Sequence, residues 1–144
     1  MKKQYICMPL IAILLFGCTI APEKPDDGAA LSPCGILPNC VNSESDGGGR
    51  AVEPLQASTE QWQSLKTWLA DQDNWTIIVD KPDFLQAEVT TPLMRFRDDV
   101  QLLYKPLSGL IQVRSSSRLG ISDMGANRSR VETLRNQLDA SAVP

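Results

Sequence analysis

Histidine is absent from all 144 residues, and this narrows the chemistry more than any motif does. Without it the chain lacks the commonest general base, the usual imidazole metal ligand and every Ser-His or Cys-His nucleophile pair. Broad positive charge is lacking too. A formal net charge of −3 supplies no basic field for phosphates, so general nucleic-acid binding is not expected. Cysteines number only four, too few for a disulfide-dense scaffold. The longest apolar run, Ile6 to Phe16, is far too short to span a bilayer as a mature helix.

That run has the make-up of a secretion leader. Lys2 and Lys3 precede it, and it ends in Leu15-Phe16-Gly17-Cys18. The ending resembles the lipobox read by lipoprotein signal peptidase, in which the cysteine is acylated before cleavage. Phe16 is bulkier than usual for its position. Residues 1–17 are therefore read as a lipoprotein signal peptide and Cys18 as the lipidated N-terminus, with a membrane as the first expected partner. Thr19, rather than Asp, follows the cysteine. In a Gram-negative cell that favours the periplasmic face of the outer membrane.

Residues 18–49 are rich in Pro, Gly, Asp and Ser and read as a disordered, flexible tether with a coil span of about 30 Å. Inside it lies Cys34-Gly-Ile-Leu-Pro-Asn-Cys40. Secretion places these thiols in an oxidising compartment, and Cys7 and Cys18 belong to leader and lipid. Cys34 and Cys40 are left to pair with each other. A metal site would be half empty without histidine, and the spacing is not that of a Cys-x-x-Cys redox pair.

Residues 50–144 read as one α+β domain: an antiparallel sheet of about four strands with two helices packed on one face. Ser58 with Gln61 three residues on signals a capping box. Trp62, Leu65, Trp68 and Leu69 then follow at helical spacing, predicting a helix over about Thr59–Asp71. Strands are expected at Trp75–Asp80, Phe84–Thr91, Met94–Lys105 and Leu110–Arg118, with Pro106-Leu-Ser-Gly109 as a turn. A last helix, about Asn127–Asp139, carries Val131, Leu134 and Leu138 as its apolar stripe.

The last two strands permit a register argument. Pairing Lys105 with Leu110 sets Tyr104 opposite Ile111, Leu102 opposite Val113, Val100 opposite Ser115 and Asp98 opposite Ser117. The other face then carries Arg95, Arg97, Asp99 and Gln101 against Arg114, Ser116 and Arg118. Charge is skewed accordingly: from Arg95 to the end there are eight basic and five acidic residues, against three and seven from Arg50 to Met94. Arg97 and Arg118 fall opposite each other, which is destabilising without a counter-charge. Asp99 can supply one internally and an anionic ligand externally, so Arg95, Arg97, Arg114 and Arg118 form a candidate anion-binding face. On the core side, Asp98, Ser115, Ser117 and Asn127 are polar groups that must bond one another. They are expected to form a network joining sheet to last helix, with Arg128 or Arg130 as the partner of Asp98.

Several of these segments together resemble the family called domain of unknown function 1499. They are Cys34 to Val41 (Gly35 replacing the family's proline), Val52 to Leu55, Arg95 to Val100, and the long motif from Val113 to Glu132. The resemblance implies an envelope-associated α+β domain and no established activity. The expected role is an envelope lipoprotein whose body is a non-catalytic binding or interaction module, taking an anionic small molecule or an acidic protein on the arginine face. Alternatives are a structural partner of a membrane complex, or a histidine-free hydrolase or transferase built on Ser115, Ser116, Ser117 or Ser122. An enzyme ranks last, because serine needs an activating base. No catalytic residue, metal or cofactor is assigned.

Overall fold

The computed structural model describes residues 30–45 and 47–141. Cys18, the leader and the first part of the tether lie outside the described residues. The body is α+β, as its patterning predicts, but its mostly antiparallel sheet has six strands rather than about four. The long strands are β3 (Trp75–Asp80), β4 (Phe84–Thr90), β5 (Arg97–Lys105) and β6 (Leu110–Ser117). The two additional ones, β1 (Cys40–Asn42) and β2 (Leu55–Gln56), are three and two residues long. Alternation over so few positions leaves no readable period. Both pair with the outer edge of β6, β1 near its end and β2 near its start. They thereby cover an edge that would otherwise present unpaired amides. The remaining order is β6-β5-β4-β3.

Because β1 belongs to the sheet, the segment expected to be free tether up to residue 49 is folded from Leu31 on. Leu31 is buried with Phe84 and Leu103, and the Asn42 side chain donates to the Ser32 carbonyl at 3.0 Å. The folded body therefore begins by Leu31, not at residue 50. Cys34 and Cys40 are joined by a disulfide across a Cα–Cα distance of 5.7 Å, so the staple closes a loop against the sheet rather than within a free linker.

The β5–β6 register follows from the hairpin turn. Lys105 pairs with Leu110, Tyr104 with Ile111, Leu102 with Val113, Val100 with Ser115 and Asp98 with Ser117. Gly109 sits at φ +64°, and a Cβ there would lie 3.3 Å from the Ala57 carbonyl oxygen. The turn therefore needs glycine both for its conformation and for close approach. β5 starts at Arg97 rather than Met94, because the Thr91 hydroxyl accepts from the Phe96 amide at 2.8 Å and closes a turn over 91–96.

Helix α1 (Thr59–Ala70) opens with the full capping box: Gln61 N–H donates to the Ser58 side chain, and Ser58 N–H to the Gln61 side chain. Together with α2 (Ala126–Ser141), it covers the face bearing Leu85, Ala87, Val89, Val100, Leu102, Tyr104, Ile111 and Val113. Trp62 stacks on Tyr104 with centroids 5.6 Å apart, and its indole N–H donates to the Pro82 carbonyl at 2.8 Å. The tryptophan thus serves the core while its polar tip stays satisfied.

Replacing both staple cysteines, Cys34→Ser with Cys40→Ser, is expected to lower the unfolding free energy by about 2 kcal/mol, the loop-closure entropy of so short a ring. Denaturant titration with and without reductant checks it: wild type in reductant should match the double variant.

Candidate functional site

The chain's chemistry-bearing side chains fall into a buried network, a charged sheet face and one end of the sheet. The network sits where β5 and β6 meet the start of α2. One Arg130 nitrogen, Nη1, donates to Ser115 Oγ and Asn127 Oδ1, each at 2.7 Å, while Nη2 donates to Asp98 Oδ2 at 2.5 Å. Ser115 donates its own proton to Asn127 Oδ1 at 2.6 Å. The Asn127 amide nitrogen donates to Ser117 Oγ at 3.1 Å and to the Asn39 carbonyl at 2.9 Å. Asp98, Ser115 and Asn127 are all fully buried. Arg130 therefore offsets the charge of Asp98 in a setting where either ion alone would be costly.

Arg128 does not join this network. It points back along α2, and its Nη2 donates to the Gly49 and Ala51 carbonyls, each at 2.9 Å. Helical geometry separates the two arginines: Arg130 lies one turn from Asn127 on the inner face, whereas Arg128 follows it toward the flank.

Two contributors were missed by sequence reasoning. Asn39, whose side chain donates to the Ser117 and Gly120 carbonyls, links the staple loop to the β6–α2 loop. Asp123 accepts the Asn127 and Gly125 amides at 2.9 and 3.1 Å, holding the start of α2. An Asp just ahead of a helix is a readable capping signal. Burial alone would raise the Asp123 pKa, but these backbone N–H bonds outweigh it and leave the carboxyl below its ordinary range.

On the opposite sheet face, the Arg97–Arg118 conflict is resolved internally. Arg118, with only 6% of its side chain exposed, makes a two-pronged contact with Asp99: Nε to Oδ2 at 2.9 Å and Nη2 to Oδ1 at 2.7 Å. Glu88 on β4 then bridges the two arginines, at 2.9 Å from Arg118 and 3.5 Å from Arg97. The hydrogen bond to Asp99 is the main reason the Arg118 pKa is raised. Two cations thus face two carboxylates. Arg114 lies on the same face, opposite Gln101 and Asn42. Arg95 is outside the strand, in the 91–96 turn at φ 51°, so the four arginines do not form one continuous row.

The third region is the end of the sheet where β5 begins and β6 finishes. Antiparallel pairing brings three loops there: the staple loop 34–39, the β4–β5 turn 91–96 and the β6–α2 loop 118–125. The staple loop is tied to the β6–α2 loop by the hydrogen bond from Asn39 to Gly120, and beside the 91–96 turn the Arg118 amide donates to the Arg97 carbonyl at the start of β5. Arg50 further donates to the Ile36 carbonyl. Of the ten exposed large apolar side chains among the described residues, eight are here: Ile36 and Leu37; Leu93, Met94 and Phe96; Leu119, Ile121 and Met124. So heavy a concentration on one end marks a contact surface. Beside it a cleft of about 540 Å³ is lined by Val41, Gly48, Arg50, Asp123 and Arg128 among others. The Asp123 carboxylate already occupies the helix N-terminus there, so the helix dipole is not available to a second anion.

Residues 30–138 match the model of the family described as "Protein of unknown function (DUF1499)". The chain belongs to the DUF1499 family. No curated protein and no solved structure matches it. The DUF1499 match takes in both the staple and the polar network, and it begins close to where the folded body begins.

Two measurements probe this site. Asp98→Ala should cost about 3–5 kcal/mol by stranding Arg130. The pair Asp98→Ala with Arg130→Met should cost less than the two single losses summed, as a double-mutant cycle by denaturation will read. Asp123→Ala should cost about 1 kcal/mol at neutral pH. Because the folded-state pKa of Asp123 is depressed, its contribution is full above the unfolded value and lost as pH falls through the folded one. The gap between wild type and variant should therefore close below about pH 4.

Proposed function

We propose that this DUF1499 protein is a lipid-anchored envelope protein whose body is a non-catalytic interaction module working through its loop-bearing end. One observation carries the reading: three loops gathered at one end of the sheet hold eight exposed apolar side chains on an otherwise conventionally packed domain. Exposing that much apolar surface is unfavourable unless something covers it.

The polar groups support the same reading. Ser115, the fully buried hydroxyl of the network, gives its proton to an amide oxygen that is no base, and takes a hydrogen bond from an arginine. A serine so placed is not activated as a nucleophile. The arginine face supports recognition of an external anion poorly, since Asp99 and Glu88 already occupy Arg118 and Glu88 also neighbours Arg97. The lipobox-like ending at Cys18 supports attachment through acyl chains. No helix among the described residues is long and apolar enough to cross a membrane.

Attachment is tested by metabolic labelling with an alkyne palmitate: label on the wild type, none on Cys18→Ala. The working end is tested by thiol reactivity in native membranes. Cys34 and Cys40 are tied up with each other, so a single introduced cysteine reports alone. Ile121→Cys should react several-fold more slowly in membranes than after detergent extraction. Leu107→Cys, at the opposite end of the sheet, should react equally in both. Equal reactivity of Ile121→Cys in both states contradicts the proposal.

A further inference from the structure

The loop-bearing end has features that specify what covers it. Its apolar side chains stand on the tips of separate loops rather than on a flat, continuous face: Ile36 and Leu93 are each 90% exposed, Ile121 76% and Met124 98%. They are mostly aliphatic or thioether groups, suited to a soft apolar medium. Two of these loops also contain the non-glycine residues with left-handed backbone, Arg95 at φ 51° and Met124 at φ 50°. Both side chains are exposed. Such conformations cost of order 1 kcal/mol or more and persist only where the surrounding structure holds them.

Charge on this end is sorted. The staple loop carries none, and the 91–96 turn carries only Arg95, which makes no side-chain hydrogen bond or ion pair among the described residues. The acidic residue of the third loop, Asp123, is turned inward onto the Asn127 and Gly125 amides. What faces outward is apolar tips with an arginine among them. That combination complements an anionic lipid surface, whose headgroups take the guanidinium while the acyl boundary takes the aliphatic tips.

We infer that the loop-bearing end docks directly on the anionic bilayer to which the N-terminal lipid attaches, with the loop tips inserted at the headgroup–acyl boundary and Arg95 at the headgroups. The inference rests on the proposed interaction end and names its occupant as lipid rather than protein. Docking fixes the domain with the β5–β6 hairpin pointing away from the membrane, and the lipid anchor makes this second contact effectively intramolecular.

The test uses the full lipidated chain reconstituted in vesicles of phosphatidylethanolamine with phosphatidylglycerol, carrying an environment-sensitive fluorophore on Ile121→Cys or Leu107→Cys. The Ile121 fluorophore is expected to shift to the blue and lose most of its emission to a bilayer-resident nitroxide, while the Leu107 fluorophore does neither. Replacing phosphatidylglycerol by phosphatidylcholine should reduce the docked-to-free ratio about fivefold, the worth of one arginine at an anionic surface, and adding Leu93→Ser with Met94→Ser about tenfold or more. Equal, weak quenching at both positions overturns the inference. If Ile121 is then still shielded from thiol reagent in native membranes, a protein partner covers this end, and the interaction-module reading survives without the lipid. If it is unshielded there as well, both readings fail.

Discussion

The side chain of Asn127 is held by four hydrogen bonds in the fully buried corner where α2 meets the sheet. It accepts from Ser115 and Arg130 and donates to Ser117 and to the Asn39 carbonyl. The partners span three structural units: β6 through Ser115 and Ser117, the helix itself through Arg130, and the staple loop through Asn39. An amide has two donors and two accepting lone pairs, and here all four are used. Arg130 extends the same cluster to Asp98 on β5. The position of α2, the seating of the disulfide loop and the course of the chain after β6 all depend on this one corner. Leaving any of its groups unpaired at such depth costs about 1–3 kcal/mol.

Neutralisation follows one pattern on both sides of the sheet. Inside, Asp98 meets Arg130; outside, Asp99 and Glu88 meet Arg118. Adjacent aspartates on one strand point to opposite faces, and each finds its arginine on its own side. The consequence for function is that most charges are committed within the fold. The surface proposed for interaction is the end of the sheet, where loops beside the corner project apolar side chains.

The sequence showed this unevenly. The β5–β6 register was legible because the turn is short and apolar residues alternate cleanly on both strands, so a single pairing kept like with like. The charge conflict between Arg97 and Arg118 was legible for the same reason. Its resolution by Glu88 was not, since that needs the β4–β5 register, and the 91–96 turn that sets it depends on a Thr91 hydroxyl bond with no composition cue. β1 and β2 were hidden by their length, and with them the fact that residues from Leu31 onward are folded; Pro, Gly and Ser-rich composition looks the same in a tether and in a loop pinned by a disulfide. Asn127 stood out as a polar group on an apolar helix stripe. Arg128 and Arg130 stood as alternative partners for Asp98, although the three-residue step from Asn127 along the same stripe already favours Arg130. The exposed tips could be read as residues but not as a cluster, because only the topology brings 36, 93 and 121 to one end.

Native-state amide hydrogen exchange on Asn127→Ala tests the central claim that the Asn127 corner organises the loop-bearing end. If it does, the amide of Ser117, which donates to the Asn39 carbonyl, should lose protection together with those of β1 (Cys40–Asn42) and the first turn of α2. Amides in the β3–β4 pairing should stay as protected as in wild type. Loss confined to α2, with Ser117 and β1 unchanged, would contradict the account.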